Sequence, residues 1–272
     1  MGSCVSHQAA TIPLDEIEIS IFGIDNAGKT CFLRSLAGDF NFDSVPTVGF
    51  GQETFMYDDV KLKVFDLGGS ENFRSVWKRY FAEIWGYVYV VDAADPDRFE
   101  ESRLQLKEMV ENDLLKGKPF IVVANKQDKP NATPAEKLKK LFKKVPNIKK
   151  IQFVDASVTT IVNNKCNEGV STAVSSLIND ILKNFEKIGQ KRTVDMKEQE
   201  ERETREREEK LARIKAKRAE EQAAAEARER AEAEAKAQAQ AQAEDQVISE
   251  PEVQPNENTN EENNQQEKTD EA

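Results

Sequence analysis

Alternating or continuous apolar stretches divide the first two thirds of the chain and predict six strands. They are short, rich in β-branched residues and separated by polar or glycine-containing segments. The stretches are IEISIFG (17–23), FGQETFMY, VKLKVFDL, GYVYVVDA (86–93), KPFIVVAN (118–125) and IQFVDAS. Only Asp58 and Asp59 separate FGQETFMY from VKLKVFDL, which predicts an antiparallel hairpin. The continuous apolar runs are typical of strands buried on both faces of a sheet.

Segments with helical periodicity lie between these strands. KTCFLRSL, DPDRFEESRLQLKEMVENDLL, TPAEKLKKLFKK and TAVSSLINDILKNFEKI all fit this pattern. In the third segment, we predict Thr133 as the N-cap and Pro134 as the first helical residue. The last segment predicts one apolar face that runs from Val174 to Ile188. The alternation predicts an α/β domain over residues 17–188, with a mostly parallel six-stranded sheet covered by helices on both faces.

The pattern changes at about residue 189. Residues 189–245 are rich in Ala, Glu and Arg and predict a long charged helix. Leu211 and Ile214 lack heptad partners, so a solvated helix is favoured, and a coiled coil is the alternative. Residues 246–272 are acidic and rich in Asn and Gln, and we predict a disordered tail there.

Charge and composition exclude several classes of function. The net charge is −11, and residues 241–272 contribute ten acidic residues against one lysine, which argues against nucleic acid as a partner. The three cysteines lack CxxC spacing, and His7 is the one histidine of the sequence. Hydrolytic sites that depend on histidine are therefore nearly excluded, and so are zinc sites. No apolar run approaches the roughly 20 residues that span a bilayer.

GIDNAGKT, residues 23–30, fits the phosphate-binding pattern G-x-x-x-x-G-K-[ST] between a predicted strand and a predicted helix. Main-chain amides of such a loop surround phosphates, Lys29 reaches the β and γ oxygens, and the Thr30 hydroxyl holds Mg²⁺. An ordinary glycine turn is the alternative. The predicted phosphate-binding residues are Gly23, Asp25, Asn26, Ala27, Gly28, Lys29 and Thr30.

NKQD, residues 125–128, predicts recognition of guanine at the end of another strand. The Asp128 carboxylate accepts hydrogen bonds from guanine N1–H and N2–H₂, two donors that adenine lacks. Asn125 belongs to the same motif, the aliphatic stem of Lys126 lies along the base, and the Ala156 amide meets guanine O6. The predicted ligands are therefore GTP and GDP rather than ATP.

Two further segments predict loops that respond to the γ-phosphate. Thr47 in VPTVGF completes the Mg²⁺ shell together with Thr30, and Asp66 holds the ion through water. The Gly69 amide contacts the γ-phosphate, because glycine permits a close approach. As alternatives, Thr47 is a turn residue and Asp66 caps a strand end.

NAGKT, PTVGF, DLGG, NKQD and VWKRYF resemble the Arf and Arf-like branch of the small GTPases over residues 17–188. The resemblance implies the P-loop small GTPase fold. It also implies that Phe50, Phe65 and Tyr80 form an aromatic trio contacted by effectors, although the sequence equally allows a core role for all three. Phe65 replaces the more usual tryptophan.

Within that branch, the chain resembles the ciliary Arf-like proteins. It shares a residue other than Gln after DLGG, the run WKRYFAEIWG and a charged helical extension. This resemblance implies a location at the cilium or flagellum, a role in protein transport, and exchange-factor activity toward another Arf-like GTPase. The implied exchange surface comprises the second switch and residues 188–215. EVQP (252–255) has Glu252 where the family signal has arginine.

Ser70 stands where hydrolysing relatives carry the glutamine that positions water, and we identify no other catalytic residue. Its side chain is too short for that role, so we predict very slow hydrolysis with GTP affinity preserved. One alternative is an ordinary Arf-like GTPase of vesicle traffic that needs an activating protein. The other is an adaptor that stays bound to GTP.

MGSCVS fits the N-myristoylation pattern, so residues 1–16 are predicted to be an acylated leader. Gly2 is the candidate for myristoylation and Cys4 for S-palmitoylation. Two acyl chains give a stable anchor where one gives marginal binding. Residues 2–16 do not form an amphipathic helix, so attachment to the cytoplasmic face of a membrane relies on lipid. An inert leader is the alternative.

Overall fold

The structure is a computed structural model that describes residues 16–43, 47–163 and 165–247, with side chains described as far as residue 239. Gly2 and Cys4 in the predicted leader, and EVQP in the predicted tail, lie outside the described residues. The chain divides into two compact units, Met1–Thr204 and Arg205–Ala272.

Six strands form one sheet in the order β2-β3-β1-β4-β5-β6. β2 and β3 are antiparallel, and every other neighbouring pair is parallel. The six-stranded, mostly parallel sheet and its hairpin are therefore confirmed. The strands are β1 (Ile17–Phe22), β2 (Phe50–Tyr57), β3 (Val60–Leu67), β4 (Gly86–Asp92), β5 (Phe120–Asn125) and β6 (Gln152–Asp155).

Helices cover both faces of this sheet, and one apolar cluster lies on each face. One cluster joins residues of α1 and α5 to the sheet, and the other joins residues of α2, α3 and α4 to the opposite face. Short 3₁₀ turns occur at Pro96–Arg98 and Ile148–Lys150. The helices are α1 (Lys29–Ala37), α2 (Glu71–Trp77), α3 (Phe99–Glu111), α4 (Ala135–Leu141), α5 (Glu168–Lys183) and α6 (Phe185–Val247).

The start of α4 differs from the prediction. Pro134, rather than Thr133, is the N-cap, and the helix begins at Ala135. The Ala135 amide donates to the carboxylate of Asp155 at the end of β6, at 2.7 Å. The Thr133 amide instead donates to the Ala93 carbonyl at 2.7 Å. The predicted local cap is wrong because a carboxylate from a neighbouring strand provides the hydrogen bond.

The predicted apolar face from Val174 to Ile188 is divided between two helices. α5 ends with Asn184 as its C-cap. The main-chain N–H of Asn184 donates to the carbonyls of Ile181 and Leu182. α6 begins at Phe185, four positions before the predicted start at residue 189. The Phe185 ring stacks on Trp85 with centroids 4.4 Å apart. The first turn of the long helix therefore belongs to the packing of the domain.

Candidate functional site

The loop that follows β1 is shaped by its glycines and held by a buried amide. Gly28 has φ 93°, and a Cβ there would lie 2.4 Å from Nδ2 of Asn125. That same nitrogen donates to the Ala27 carbonyl at 2.9 Å, and the Asn125 oxygen accepts from the Val158 amide at 3.2 Å. Fully buried, Asn125 thus braces the phosphate-type loop against the segment after β6.

Lys29 opens α1 and is buried, with only 6% of its surface exposed. Its ammonium donates to the Ile24 carbonyl at 2.9 Å, and burial lowers the pKa of Lys29 to about 8. A Cβ at Gly69 would lie 2.3 Å from this ammonium and 2.5 Å from the main-chain nitrogen of Asp25, so only glycine permits the approach of that loop. The structure therefore places a desolvated cation between the two loops that were predicted to contact phosphate.

Three oxygen-bearing side chains meet beside Lys29. Thr30 Oγ1 donates to Oδ2 of Asp66 at 2.6 Å and lies 2.9 Å from Oγ1 of Thr47. The Thr47 hydroxyl also donates to Asp66, at 3.3 Å. Asp66 is buried, and its second oxygen, Oδ1, has no hydrogen-bond partner among the residues that the structure describes. Burial raises the pKa of Asp66, against the lowering effect of the Thr30 hydroxyl and of charged Lys29.

These three residues fit a hard divalent cation. Hydroxyl and carboxylate oxygens are the ligands that Mg²⁺ prefers, and the unpartnered Oδ1 of Asp66 is a buried acceptor that a cation or its bound water would satisfy. Among the described residues, no group of three or more His, Cys, Asp or Glu could hold a metal ion. A metal at this site would therefore depend on the two threonine hydroxyls together with phosphate.

A cavity of about 410 Å³ opens at this end of the sheet. Ser70 lies on its wall as the N-cap of α2, and its side chain makes no capping hydrogen bond. Sequence reasoning missed Cys31, Val48 and Phe73, which also line the cavity. The predicted residues among the lining are Asp25, Asn26, Gly28, Lys29, Thr30, Thr47, Gly69 and Lys126, whereas Gly23, Ala27, Asp66, Asn125, Asp128 and Ala156 lie outside it.

Three of the predicted base-binding residues are each held in place by another residue of the protein. Asp128 accepts from the Ser157 hydroxyl at 2.6 Å, and Lys126 forms an ion pair of 2.7 Å with Asp92. The Ala156 amide was predicted to donate to guanine O6. In this structure it donates instead to the Ala124 carbonyl, at 3.0 Å. Among the described residues, no group donates a hydrogen bond to the other carboxylate oxygen of Asp128, and the role of Asp128 toward guanine stays a prediction.

Asp25 belongs to an ion-pair network that the sequence did not reveal. Its carboxylate is held by Arg98 at 2.8 Å and lies 3.6 Å from Arg74, and the hydrogen bond from Arg98 lowers the pKa of Asp25. Arg74 donates to the Gly69 carbonyl at 2.9 Å and pairs with Glu101. The network joins the first loop, the last turn of α2 and the start of α3. No spacing rule predicts it, because its members come from separate elements.

Phe50, Phe65 and Tyr80 do pack together. Tyr80 lies 5.7 Å from Phe50 and 4.9 Å from Phe65 between ring centroids. Phe65 is buried, whereas Phe50 is 56% exposed. A core role therefore suits Phe65, while Phe50 presents an apolar surface. No helix within the described ranges has the length and apolar character to cross a membrane.

Comparison with known proteins agrees with this geometry. The sequence pattern of the ADP-ribosylation factor family matches residues 6–181. ADP-ribosylation factor-like protein 13B of Chlamydomonas reinhardtii is 50% identical over 125 residues, which are 46% of this chain and 24% of that protein. ADP-ribosylation factor-like protein 8b of Arabidopsis thaliana is 43% identical over 124 residues, 45% of this chain and 67% of that protein. The present chain thus matches about a quarter of the length of the Chlamydomonas relative.

A solved structure shares the fold. The Arl6 BBS3 small GTPase from Trypanosoma brucei, determined with the bound nucleotide analogue GppNp, aligns with a TM-score of 0.52 and 26% identity. The alignment covers 62% of this chain and 98% of that one. The predicted small GTPase fold is therefore confirmed.

Proposed function

The chain belongs to the ADP-ribosylation factor family, and on that premise we propose that it is a membrane-anchored GTP-binding switch with very slow hydrolysis. The observation that carries the proposal is the meeting of buried Lys29 with Thr30, Thr47 and Asp66. A desolvated cation beside three hard oxygen groups suits a triphosphate with its metal. The proposed GTPase domain comprises residues 17–188.

Each of these residues has a separate proposed task toward the nucleotide. Lys29 would exchange its hydrogen bond to the Ile24 carbonyl for one to a phosphate oxygen. The negative phosphate would then stabilise the charged form of an ammonium that burial has removed from water. Thr30 and Thr47 would turn their hydroxyl oxygens to Mg²⁺, and Asp66 would hold the ion through water. When bound, Mg²⁺ neutralises charge on the phosphate oxygens.

Base selection is proposed to rest on Asp128, the Asp of the NKQD motif. Its bond from Ser157 fixes the carboxylate, and the remaining oxygen is available to the N–H groups of guanine. Lys126 has φ 64° and is held by Asp92, which orients its aliphatic stem at the cavity wall. Guanine nucleotides should therefore be preferred over adenine nucleotides.

Slow turnover is proposed because Ser70 stands at the position where hydrolysing relatives carry the glutamine that positions the attacking water. Ser70 ends in a hydroxyl one carbon from the main chain, whereas a glutamine carboxamide extends two carbons further. The Ser70 side chain makes no capping bond, so it remains at the cavity wall without a fixed orientation. Nothing in the phosphate loop is altered by this replacement, so GTP affinity should be retained.

Ciliary function is proposed from the likeness to the Chlamydomonas protein, which is 50% identical. We propose protein transport at a cilium or flagellum, with this chain acting as scaffold and exchange factor for another Arf-like GTPase. The second switch and residues 188–215 would contact that GTPase, and the exposed Phe50 beside Tyr80 would contact effectors. An ordinary Arf-like GTPase of vesicle traffic that needs an activating protein is the second candidate.

Membrane attachment is proposed through acylation of Gly2 and Cys4 in MGSCVS, which would hold the protein on the cytoplasmic face of the ciliary membrane. The full chain, made in a host that carries out myristoylation, should gain the mass of one myristoyl group. An unmodified Gly2 in that host, with a myristoylated control protein, would remove this part of the proposal without touching nucleotide binding.

Nucleotide binding is tested by competition on the purified full chain with Mg²⁺. GDP and GTP should displace a fluorescent guanine nucleotide, whereas ADP and ATP should fail even at about a thousandfold excess. Asp128→Asn should weaken guanine binding at least a hundredfold and favour xanthine, whose C2 carbonyl accepts from the new amide. Equal affinity for adenine would overturn the proposed specificity.

The exchange-factor role needs a separate measurement. Release of labelled GDP from another Arf-like GTPase, with and without this protein in its GTP form, distinguishes an exchange factor from the two alternatives. Acceleration that disappears when residues 205–215 are removed would support the proposed surface. Unchanged release from every Arf-like GTPase of the same cell would favour the alternatives.

A further inference from the structure

One surface of the domain is strongly basic in a protein of net charge −11. Seven of the fourteen residues at positions 137–150 are lysine, and none is Asp, Glu or Arg. This segment, here called the basic face, comprises most of α4, the turn after it and the 3₁₀ turn before β6. Its lysines are Lys137, Lys139, Lys140, Lys143, Lys144, Lys149 and Lys150.

The packing of the segment directs these lysines outward. Leu138, Phe142 and Val145 are buried in the apolar cluster beneath α4, so the intervening positions face away from the core. Lys139 joins the two parts of the basic face, because its ammonium donates to the Lys149 carbonyl at 3.4 Å. The charges are thus fixed on one folded surface.

No carboxylate among the described residues lies within 4.0 Å of any of these seven ammonium groups. Other lysines of the domain do form such pairs, as Lys61 does with Glu16 at 2.9 Å. Two carboxylates near the segment form no such pair with its lysines. Glu136 directly precedes the segment in α4, and the pKa of Glu100 is lowered chiefly by Arg103 and only in part by Lys144. The basic face therefore carries positive charge that the folded domain leaves largely uncompensated.

The topology places the 3₁₀-turn end of the basic face away from the nucleotide loops, whereas α4 begins near the carboxyl end of β6. The 3₁₀ turn Ile148–Lys150 directly precedes β6, just as Glu16 directly precedes β1. β1, β4, β5 and β6 form consecutive parallel pairs, so they all begin at one edge of the sheet, and the phosphate and base loops follow their other ends. The turn before β6 and the start of the described chain thus share the edge opposite the cavity.

We propose that the basic face binds the anionic headgroups of a membrane surface. Clustered lysines act as point charges that attract anionic lipids without a fixed geometry. Leu141, 49% exposed among the lysines, offers an apolar group to the interface. Nucleic acid is a weaker fit, because the segment has no arginine to grip phosphate bidentately and no exposed aromatic residue for stacking. The binding is independent of acylation.

The test uses the unacylated full chain, loaded with GDP, and sedimentation with vesicles. Vesicles of phosphatidylcholine with about 30% phosphatidylserine should bind the protein at about 0.1 M salt, and pure phosphatidylcholine should not. The triple change Lys140→Gln, Lys143→Gln and Lys144→Gln should lower binding at least tenfold. The control, Lys210→Gln, Lys215→Gln and Lys236→Gln, removes the same charge from exposed positions of α6 and should leave binding within twofold.

Four outcomes would overturn the proposal for this chain. The first is absence of binding to the anionic vesicles, and the second is an equal loss in both triple variants. The third is binding that appears only after residues 246–272 are removed, since the full chain would then not bind the membrane. The fourth is duplex DNA binding, sensitive to Lys140, Lys143 and Lys144, that exceeds vesicle binding. A thermal unfolding curve for each triple variant tests whether that variant is folded.

Discussion

Arg192 and Glu18, 174 positions apart in the chain, form an ion pair of 2.7 Å with 18% and 15% of their side-chain surfaces exposed. The Arg192 guanidinium also donates to the Glu83 carbonyl and lies 5.0 Å from the centre of the Trp85 ring. Trp85 in turn donates to Glu18 at 3.0 Å. The first turns of α6 are thereby fixed to β1 and to the segment between α2 and β4.

Arg192→Ala should lower the free energy of unfolding by about 2 kcal/mol, because it leaves Glu18 and the Glu83 carbonyl with fewer partners in a mostly buried position. Urea unfolding followed by circular dichroism measures the change. Arg202→Ala, at an exposed position of the same helix, is the control and should stay within about 0.5 kcal/mol of the wild type. Equal effects would show that Arg192 does not stabilise the domain.

Lys118 should make stability depend on pH. Its ammonium donates to the carbonyls of Phe81 and Ala82, and burial lowers the pKa of Lys118 to about 7. Between about pH 7 and the ordinary lysine pKa of about 10.4, the unfolded chain keeps a proton that the folded chain has lost. The free energy of unfolding contributed by this group therefore rises with pH across that interval.

Lys118→Met should flatten that rise by roughly 3 kcal/mol between about pH 7 and pH 9.5. The comparison uses the slope and not the absolute stability, because the variant also loses two hydrogen bonds to main-chain carbonyls. Urea unfolding of the GDP-loaded protein at both pH values gives the slope. Identical slopes for wild type and variant would contradict the assigned pKa.

Asp66→Asn should remove the effect of Mg²⁺ on nucleotide retention. The amide keeps the shape of the side chain but lacks the charge that holds metal-bound water. In the wild type, chelating Mg²⁺ should speed the release of fluorescent GDP at least tenfold. The variant should release GDP fast with or without Mg²⁺. Ser20→Ala, a buried change at an unpartnered hydroxyl on β1, should keep the wild-type response.

Ser70→Gln should accelerate single-turnover GTP hydrolysis at least tenfold, because it supplies the carboxamide that positions water. The affinity for GTP should remain within about threefold of the wild type, since Lys29, Thr30 and Asp66 are unchanged. Ser70→Ala is the matched control and should stay as slow as the wild type. A wild type that already hydrolyses GTP as fast as the glutamine variant would refute the proposed role of this position.

The features that could be predicted from the sequence are those that depend on residues close together in the chain. The loop at Gly28 and Lys29 follows from one short motif, and the hairpin follows from two adjacent strands around Asp58. The predicted N-cap at Thr133 was wrong because Asp155, twenty residues after Ala135, supplies the acceptor for the Ala135 amide. Contacts of this kind depend on how helices and strands pack together, and the spacing of apolar residues along the chain does not predict them.

The break at Asn184 shows the same limit. The apolar positions from Val174 to Ile188 keep helical spacing across it, so the sequence reads as one face. In the fold, however, the helix is interrupted there, and Phe185 begins α6 and stacks on Trp85 within the same apolar cluster that α5 contacts. The network of Asp25, Arg98 and Arg74 was likewise missed, because each residue is ordinary in its own segment.

The docking of α6 restricts where its length can change. A residue inserted between Phe185 and Arg192 would rotate everything after it by about 100° around the helix axis and carry Arg192 away from Glu18. Beyond Gln199, whose amide donates to the Arg79 carbonyl at 2.8 Å, the same insertion would leave every described contact of the domain in place. The helix can therefore be lengthened or shortened at its far end while its rotational phase at the base stays constant.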